Sequence, residues 1–346
     1  MSGGYRRGMR EAPERFAEWL AERLGVASVD IGNVERPKSG GLSSETWLLD
    51  ADWGSGHRGL VVRLPPMGAG LFPECDLGAL VKVMDALRLV GTIPVPNVLW
   101  HETDRSVLGR EFVVMDRVEG RLPSDNPGYH FEGWLKDLEP AAQRRHFDAA
   151  IGALAAIHRV DWASAGLGFL PGIGLDREFE YWSSYLDWAA GGERFEKIDA
   201  AFSWCVERRP ASEPAPSLVW GDARLGNIIF GSDPNDEPLL RSVLDWEMAS
   251  LGPAELDLGW YLFLERTALQ FAPQLAGFPD RAGTIAAYEH ALGRDVIDID
   301  WYEVWGGVRS AAIMIRVAAD LGALGLAGRE FRGDNPVTQL LMQRIA

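Results

Sequence analysis

Two aspartates, an asparagine and an arginine lie in one stretch of the chain at a spacing that suits phosphoryl transfer. Residues 218–247 read LVWGDARLGNIIFGSDPNDEPLLRSVLDWE. Phosphoryl transfer needs a carboxylate that orients the acceptor hydroxyl and takes its proton, together with hard oxygen ligands for Mg²⁺. We expect Asp222 to be the base and Asn227 and Asp245 to be the metal ligands. Arg224 is expected to reach the transferred phosphate as a cation.

The apolar segments around these residues predict short strands. The candidate strands are residues 218–220, 227–230 and 242–244, with a turn-forming cluster at 231–237. We therefore expect a β-hairpin with Asp222 at its entrance, Asn227 on its first strand and Asp245 at its exit. An isolated Asp and Asn at this spacing more often belong to an ordinary surface hairpin. The apolar framing and the second Asp favour a catalytic loop.

The segments WGDARLGN and VLDWE resemble the catalytic core of the aminoglycoside phosphotransferase family, small-molecule kinases with a protein-kinase-like fold. The likeness is closer to a subgroup that resembles the kinase-like domain attached to some acyl-CoA dehydrogenases. The resemblance implies that Asp222 is the catalytic base, that Asn227 and Asp245 bind Mg²⁺ and that Arg224 contacts phosphate. The family usually has a His two residues before the catalytic Asp, where this chain has Trp220.

Other segments match the same family over nearly the whole chain. In GPAELDLGW, Pro253 and Asp257 match a segment that braces the catalytic loop, and in IHRVDW we expect His158 to be a structural hydrogen-bonding residue rather than a catalytic one. The resemblance implies an α+β, protein-kinase-like two-lobe fold. Its small antiparallel N-lobe, with one helix besides a leading helix, is expected over residues 1–119. Its larger, mainly helical C-lobe, with the catalytic loop and the acceptor site, is expected over residues 120–346.

A glycine-rich loop and a strand cation predict the nucleotide site. The loop KSGGLSS, at 38–44, would let backbone N–H groups approach phosphates, although an ordinary hairpin turn has the same composition. It lacks the ending of a Walker loop, and no helix follows it. Arg63, in LVVRL, stands where the subgroup places its phosphate-pairing cation; a plain surface Arg is the alternative. The strand EFVVMDRV matches the adenine-binding hinge. The expected nucleotide-binding residues are Ser39, Gly40, Gly41, Ser43, Ser44, Arg63, Met115, Asp116 and Val118.

Helical periodicity predicts a first helix, one further helix in the N-lobe and six in the C-lobe. They are residues 10–24, 76–90, 141–158, 179–188, 195–206, 254–269, 282–292 and 301–326. The helix at 76–90 departs from the family, because the Glu that holds the strand cation in kinases falls at or near Leu80. Asp76 and Glu74 are candidate replacements, and the partner of Arg63 stays open.

Composition limits the classes of function. The chain has 346 residues, a net charge of −16, and 47% hydrophobic and 24% charged residues, as is ordinary for a globular protein. The acidic balance argues against a nucleic-acid partner. No apolar run is long enough for a bilayer, and the N-terminal segment lacks the apolar core of a signal peptide. Two cysteines give no disulfide framework or zinc spacing, so we expect a cytoplasmic protein. We expect it to be a monomer or a homodimer.

These features predict an ATP- and Mg²⁺-dependent phosphotransferase that acts on a hydroxyl of a small molecule. Two alternatives stay open: a catalytically idle nucleotide-binding protein, and a kinase of hydroxylated acyl or choline-like compounds rather than aminoglycosides. One predicted helix carries acidic and aromatic residues that fit cationic acceptors: Glu180, Trp182, Tyr185, Asp187 and Trp188. Arg309 and Arg316 would bind an acidic group if they face inward. The sequence does not decide between these acceptors.

Overall fold

The structure is a computed structural model that describes residues 3–36, 43–68, 70–125, 127–232, 237–323, 325–326 and 328–346. Of residues 3–11 and 232 only the backbone is described. By its internal contacts the chain divides into two compact units. The first unit is Met1–Asp85 with Pro96–Val118, and the second is Ala86–Val95 with Glu119–Ala346.

The first unit is built on an antiparallel sheet. Its elements are α1 (Gly3–Leu24), β1 (Asp30–Glu35), β2 (Glu45–Asp52), β3 (His57–Leu64), α2 (Leu77–Val90, which runs into the second unit), β4 (Val98–Glu102) and β5 (Phe112–Asp116). In the described residues the sheet has the strand order β1-β2-β3-β5-β4, with every neighbouring pair antiparallel. Both helices predicted in this part of the chain are confirmed, and β4 was not predicted.

Strict alternation fixes which face of the sheet is buried. In β2 and β3 every second side chain is almost fully buried, including Trp47, Leu49, Leu60 and Val62. The register places Trp47 opposite Val62 and Leu49 opposite Leu60, so these cross-strand pairs pack on one face. A slip of one residue would turn all of them toward water, which specifies the register.

The first helix packs on that buried face and is held to β4 by a buried carboxylate. Trp19 lies edge-on to Phe112, with ring centroids 4.9 Å apart. Glu102 accepts hydrogen bonds from the backbone N–H of Asp104 (2.9 Å), from Trp19 Nε1 (2.8 Å) and from Arg23 (2.6 Å). The bond from Asp104, followed by those from Trp19 and Arg23, outweighs burial and lowers the pKa of Glu102 to about 2.

The second unit is mainly helical. Its further elements are α3 (Pro140–His158), α4 (Leu175–Ala190), α5 (Glu196–Glu207), β6 (Ser217–Val219), β7 (Ile228–Ser232), β8 (Pro238–Val243), β9 (Ser250–Gly252), α6 (Glu255–Ala268), α7 (Arg281–Leu292), α8 (Ile299–Ala323) and α9 (Pro336–Ile345). The six predicted helices of this part are confirmed, and α9 was not predicted. An antiparallel sheet in the first unit and helices in the second confirm the predicted α+β class. No helix in the described ranges is long and apolar enough to cross a membrane.

The core of the second unit forms where α6 and α8 cross. All residues from 301 to 312 on α8 are buried, as expected for a helix surrounded by protein. Glycines allow the two backbones to touch, since a Cβ on Gly259 would overlap the carbonyl of Tyr302. A Cβ on Gly306 would lie 2.9 Å from the backbone of Trp260. This close crossing fixes the position of α6, which carries residues of the site.

The strands around the candidate site differ in part from the prediction. The strands β7 and β8 pair as predicted for the hairpin, and the predicted turn falls partly on residues 233–236, which lie outside the described part of the chain. However, β6 pairs with β9, so Asp222 leaves a separate two-stranded sheet instead of entering the hairpin. Asn227 ends a 3₁₀ turn, Leu225–Asn227, and the prediction that it lies on the first strand was wrong. The reason is that its side chain bonds back to Asp222, which curls the chain before β7 begins.

Candidate active site

A buried carboxylate on α6 fixes the loop that follows β6 by hydrogen bonds to the loop backbone. Asp257 accepts hydrogen bonds from the backbone N–H groups of Trp220 (2.6 Å) and Gly221 (2.8 Å). His158 Nε2 lies 2.9 Å from the same carboxylate, and its Nδ1 lies 2.6 Å from the hydroxyl of Tyr288. The Asp257 and His158 side chains are fully buried. These contacts agree with the bracing role expected of Asp257 and with a structural role for His158.

Gly221 lets the chain turn sharply just before Asp222. Its φ of 94° lies in the left-handed region that favours glycine, and a Cβ here would overlap the carbonyl oxygen of Met248. Arg309 on α8 donates to the carbonyl oxygen of Gly221 at 3.0 Å. The backbone before Asp222 is therefore fixed on several sides.

Three side chains orient the carboxylate of Asp222. Trp260 Nε1 donates to Oδ1 at 3.1 Å, while Arg224 Nε and Asn227 Nδ2 donate to Oδ2 at 2.8 and 2.7 Å. Asn227 Nδ2 also reaches the backbone carbonyl of Asp222 at 3.1 Å. The Asp222 side chain is 14% exposed, so the carboxylate is held rigidly while part of it faces solvent.

Burial and neighbouring charges shift the acidity of this group in opposite directions. Burial raises the pKa of Asp222, the cation of Arg224 opposes that shift, and the carboxylate of Asp245 adds to it; the net effect is a raised pKa. Burial disfavours the charged form of Arg224, but the carboxylates of Asp222 and Asp125 outweigh it and raise the Arg224 pKa. Arg224 therefore stays charged between two acids.

The two expected metal ligands are brought toward Asp222. Asn227 faces two acceptor oxygens of Asp222, so its NH₂ group must point there and its amide oxygen is directed elsewhere. Asp245 has a left-handed backbone (φ 62°) two residues after β8. Leu244, just before it, donates from its N–H to the carbonyl of Asn227 and accepts from Trp220 Nε1, both at 2.8 Å. One amide oxygen and one carboxylate match the sparse protein ligation that Mg²⁺ accepts. Within the described residues, no three His, Cys, Asp or Glu side chains form a metal-binding group.

Comparison with known proteins identifies the family of the chain. The model of the phosphotransferase enzyme family matches residues 34–303. The chain belongs to this family. Its relatives include human acyl-CoA dehydrogenase family member 11, 28% identical over 270 residues that make up 75% of this chain and 33% of that protein. The chain thus spans about a third of the length of this relative.

Solved structures share the fold of the phosphotransferase family over almost the whole chain. A Ralstonia eutropha protein assigned to the aminoglycoside phosphotransferases superimposes with a TM-score of 0.71 and 26% identity, covering 96% of this chain and 98% of that one. The GDP complex of aminoglycoside 2'-phosphotransferase-IIIa gives a TM-score of 0.60 at 15% identity, covering 95% and 97%. These matches confirm the resemblance and the predicted kinase-like fold.

The described residues among those expected to bind the nucleotide lie in the first unit, whereas the catalytic and metal candidates lie in the second. Ser39, Gly40 and Gly41 fall outside the described residues. Ser43 and the buried Ser44 precede β2, and Ser44 accepts a hydrogen bond from Arg63 Nε at 2.8 Å. Asp76, one candidate partner of Arg63, caps α2 by accepting from the Ala79 N–H at 2.8 Å.

The expected adenine-binding segment is the end of β5. Met115 and Asp116 lie on this strand, and Val118 follows it. The Asp116 carboxylate accepts hydrogen bonds from Arg58 (2.6 and 3.0 Å) and Asn97 (3.0 Å), and the Asp116 N–H donates to the carbonyl of Asn97 at 3.0 Å. The N–H of Asp116 is thus already used within the protein.

Two residues of the site were missed by sequence reasoning. Trp260 lies three positions after Asp257 on α6, and this spacing places both on one helical face, a signal that could have identified it. Asp125 pairs with Arg224 from a loop 99 residues away in sequence, and no local pattern points to it.

Proposed function

We propose that this protein transfers the γ-phosphoryl group of ATP to a hydroxyl of a small molecule in a Mg²⁺-dependent reaction. The observation that carries the proposal is the carboxylate of Asp222, which is anchored by three donors, has a raised pKa and lies beside two candidate metal ligands. A base is most effective when its pKa approaches the working pH, and a positioned base contributes roughly 10²- to 10⁴-fold to the rate.

Each residue has a distinct task in the proposed reaction. Asp222 orients the acceptor hydroxyl and takes its proton as the oxygen attacks phosphorus. The amide oxygen of Asn227 and the carboxylate of Asp245 would hold Mg²⁺, which neutralises phosphate charge when bound. Arg224 stabilises the transferred phosphoryl group and keeps Asp222 ionised.

The nucleotide would bind to the first unit. The loop with Ser39, Gly40 and Gly41 and the adjacent Ser43 and Ser44 would contact the phosphates, and Arg63 would pair with them. The backbone at Met115, Asp116 and Val118 would hold the base. Support comes from the family match and from a structural neighbour solved with GDP, although this likeness leaves ATP and GTP as alternatives to compare.

Asp222→Asn tests the catalytic assignment. It keeps the size of the side chain but removes the proton acceptor, so nucleotide binding should persist while ADP release with a screened acceptor falls at least ~100-fold. Asp245→Ala should instead lose Mg²⁺-dependent nucleotide binding. Asp148→Asn, at an exposed ion pair with Arg144, is the control and should match the wild type.

The outcomes separate the proposal from an idle nucleotide-binding protein. An idle protein would gain thermal stability from Mg²⁺ and nucleotide but release no ADP with any acceptor. Wild-type turnover in Asp222→Asn would remove Asp222 from the mechanism. A cytoplasmic location, the oligomeric state and acyl or choline-like acceptors stay predictions, and the names of the relatives make hydroxylated acyl compounds worth including in the screen.

A further inference from the structure

A cavity of about 400 Å³ in the second unit adjoins the catalytic loop. Its lining includes Trp182 and Ser184 of α4, Met248 before β9 and Arg309 of α8. Two of these touch the residue before the proposed base, because the Met248 carbonyl packs against Gly221 and Arg309 donates to the Gly221 carbonyl. The volume suits a small metabolite, at the lower end of typical ligand pockets.

Arg309 is a buried cation with unused donors in this cavity. The residue is only 3% exposed. It lies over the rings of Trp182 (5.3 Å) and Trp260 (5.0 Å), and one nitrogen bonds Gly221. Among the described residues, Nε and the second terminal nitrogen have no hydrogen-bond partner. Buried donors without partners are rare in native proteins, so these N–H groups call for a ligand.

The nearby carboxylate of Glu178 does not meet this need. Its Oε1 accepts hydrogen bonds from Trp182 Nε1 (3.0 Å) and Trp305 Nε1 (3.1 Å), which set its orientation. Arg309 Nε lies 3.6 Å from that oxygen, beyond an ordinary hydrogen bond. Glu178 therefore balances the charge of Arg309 without satisfying its donors. Because two indole rings contact the guanidinium, its N–H edge is the part left for a ligand.

We propose that this cavity is the acceptor subsite and that Arg309 binds a carboxylate of the acceptor, so that small hydroxy acids are the acceptor class. The inference rests on the proposed transfer to a hydroxyl. It identifies a second group of the acceptor, the carboxylate that Arg309 binds. A planar guanidinium and a carboxylate match in geometry and form strong, charge-assisted bonds. A ligand amine at the same place would be repelled by the cation of Arg309.

The other charges of the cavity define the competing ligand. Arg177 and Glu180 pair with each other at 2.7 Å, and both are exposed. Glu247 adds a further carboxylate to the lining, so the amine of an amino alcohol is the alternative that the experiment must exclude. The uncharged amide of the same hydroxy acid tests whether an oxygen without charge is enough.

Calorimetric titration of the whole protein distinguishes these ligands without requiring turnover. The probes are ω-hydroxy carboxylic acids of increasing length, their amides and the matching amino alcohols. The acid is expected to bind about 10- to 100-fold more tightly than its amide, as for hydrogen bonds to charged groups, and the amino alcohol least. Arg309→Met should remove the preference for the acid, and Arg309→Lys, which keeps the charge but not the fork, should weaken it.

Arg144→Met is the matched control, since it removes a cation from an exposed ion pair with Asp148 that is not part of the cavity lining and leaves the buried donors in place. It should change the ratio of the acid's affinity to the amide's affinity by less than about 3-fold, as expected for an exposed ion pair. Thermal unfolding shows whether the Arg309 variants are folded. If they are not, the acid-to-amide ratio of the wild type still decides.

Each result either supports or overturns the inference. Tightest binding of the amino alcohol, equal binding of acid and amide, or no binding at millimolar concentration overturns it. So does an unchanged ratio in folded Arg309→Met. ADP release is measured separately. Acid binding without ADP release would overturn small hydroxy acids as the acceptor class, whereas failure of the proposed function requires that no acceptor in the wider screen releases ADP.

Discussion

Replacing Asp257 with Asn tests whether a single buried carboxylate holds the loop that carries Asp222. The two oxygens of Asp257 have different partners: Oδ1 accepts from the Gly221 N–H, and Oδ2 accepts from the Trp220 N–H and lies beside His158. Asparagine has the same shape but only one acceptor oxygen. In either orientation its NH₂ group faces a backbone N–H.

The expected destabilisation follows from these contacts. A buried donor left without a partner costs about 1–3 kcal/mol, and the remaining bonds lose the strength that the charge gave them. We therefore expect Asp257→Asn to lower the free energy of unfolding by about 2–5 kcal/mol and Tm by roughly 5–15 °C. Because Asp222 follows directly, kcat should also fall while nucleotide binding persists.

Urea and thermal unfolding of the wild type and the variant measure the first effect, and ADP release measures the second. Asp148→Asn is a matched control, since it makes the same chemical change at an exposed ion pair and should cost less than about 1 kcal/mol. If Asp257→Asn is no less stable than this control, the loop does not depend on the two backbone bonds and the reasoning is wrong.

Replacing Arg224 with Met should raise the pKa of Asp222 further, because burial raises it already and the cation opposes that shift; the acidic limb of a kcat/KM–pH profile should then move to higher pH. The pKa of Glu102 is lowered to about 2, so the ionised carboxylate stabilises the fold above pH ~4.5. This stability is lost as the pH falls toward 2. Glu102→Gln should cost about 3 kcal/mol at neutral pH and flatten urea stability across that window. Gly221→Ala should lower the free energy of unfolding by at least ~1–3 kcal/mol, because the backbone is left-handed and a carbonyl blocks the Cβ. Gly152→Ala, in open space within α3, should instead raise it by about 0.5–1 kcal/mol, and thermal unfolding measures both changes.

Periodicity predicted the long elements well, because it depends only on which face is buried. It missed β4, whose residues are mostly half-buried, so that the strand lacks the alternation seen in β2. It also missed α9, although the sequence carries a start signal there: Asn335 accepts from the N–H groups of Val337 and Thr338, and Pro336 is the first helical residue. The first failure has a physical cause, whereas the second is a signal that was overlooked.

Motif spacing identified the candidate residues of the loop but not their support. Asp222, Asn227 and Arg224 are close in sequence, and the structure brings them into mutual hydrogen-bond range. The pairing of β6 with β9 could not be predicted, because three-residue strands carry too little pattern to specify a partner. The contact between Asp125 and Arg224 arises only in the folded chain.

The position of Asp222, the proposed base, therefore depends on how α6 and α8 cross. Asp257 of α6 holds the backbone N–H groups of residues 220 and 221, and Trp260, one turn later, donates to the carboxylate of Asp222. Arg309 of α8 donates to the carbonyl oxygen of Gly221 and contacts the ring of Trp260. The two helices meet through glycines that leave no room for a Cβ, so a change in their spacing would move all three supports together. The types of the proposed catalytic residues are thus local information, while their positions are a property of helix packing far away in sequence.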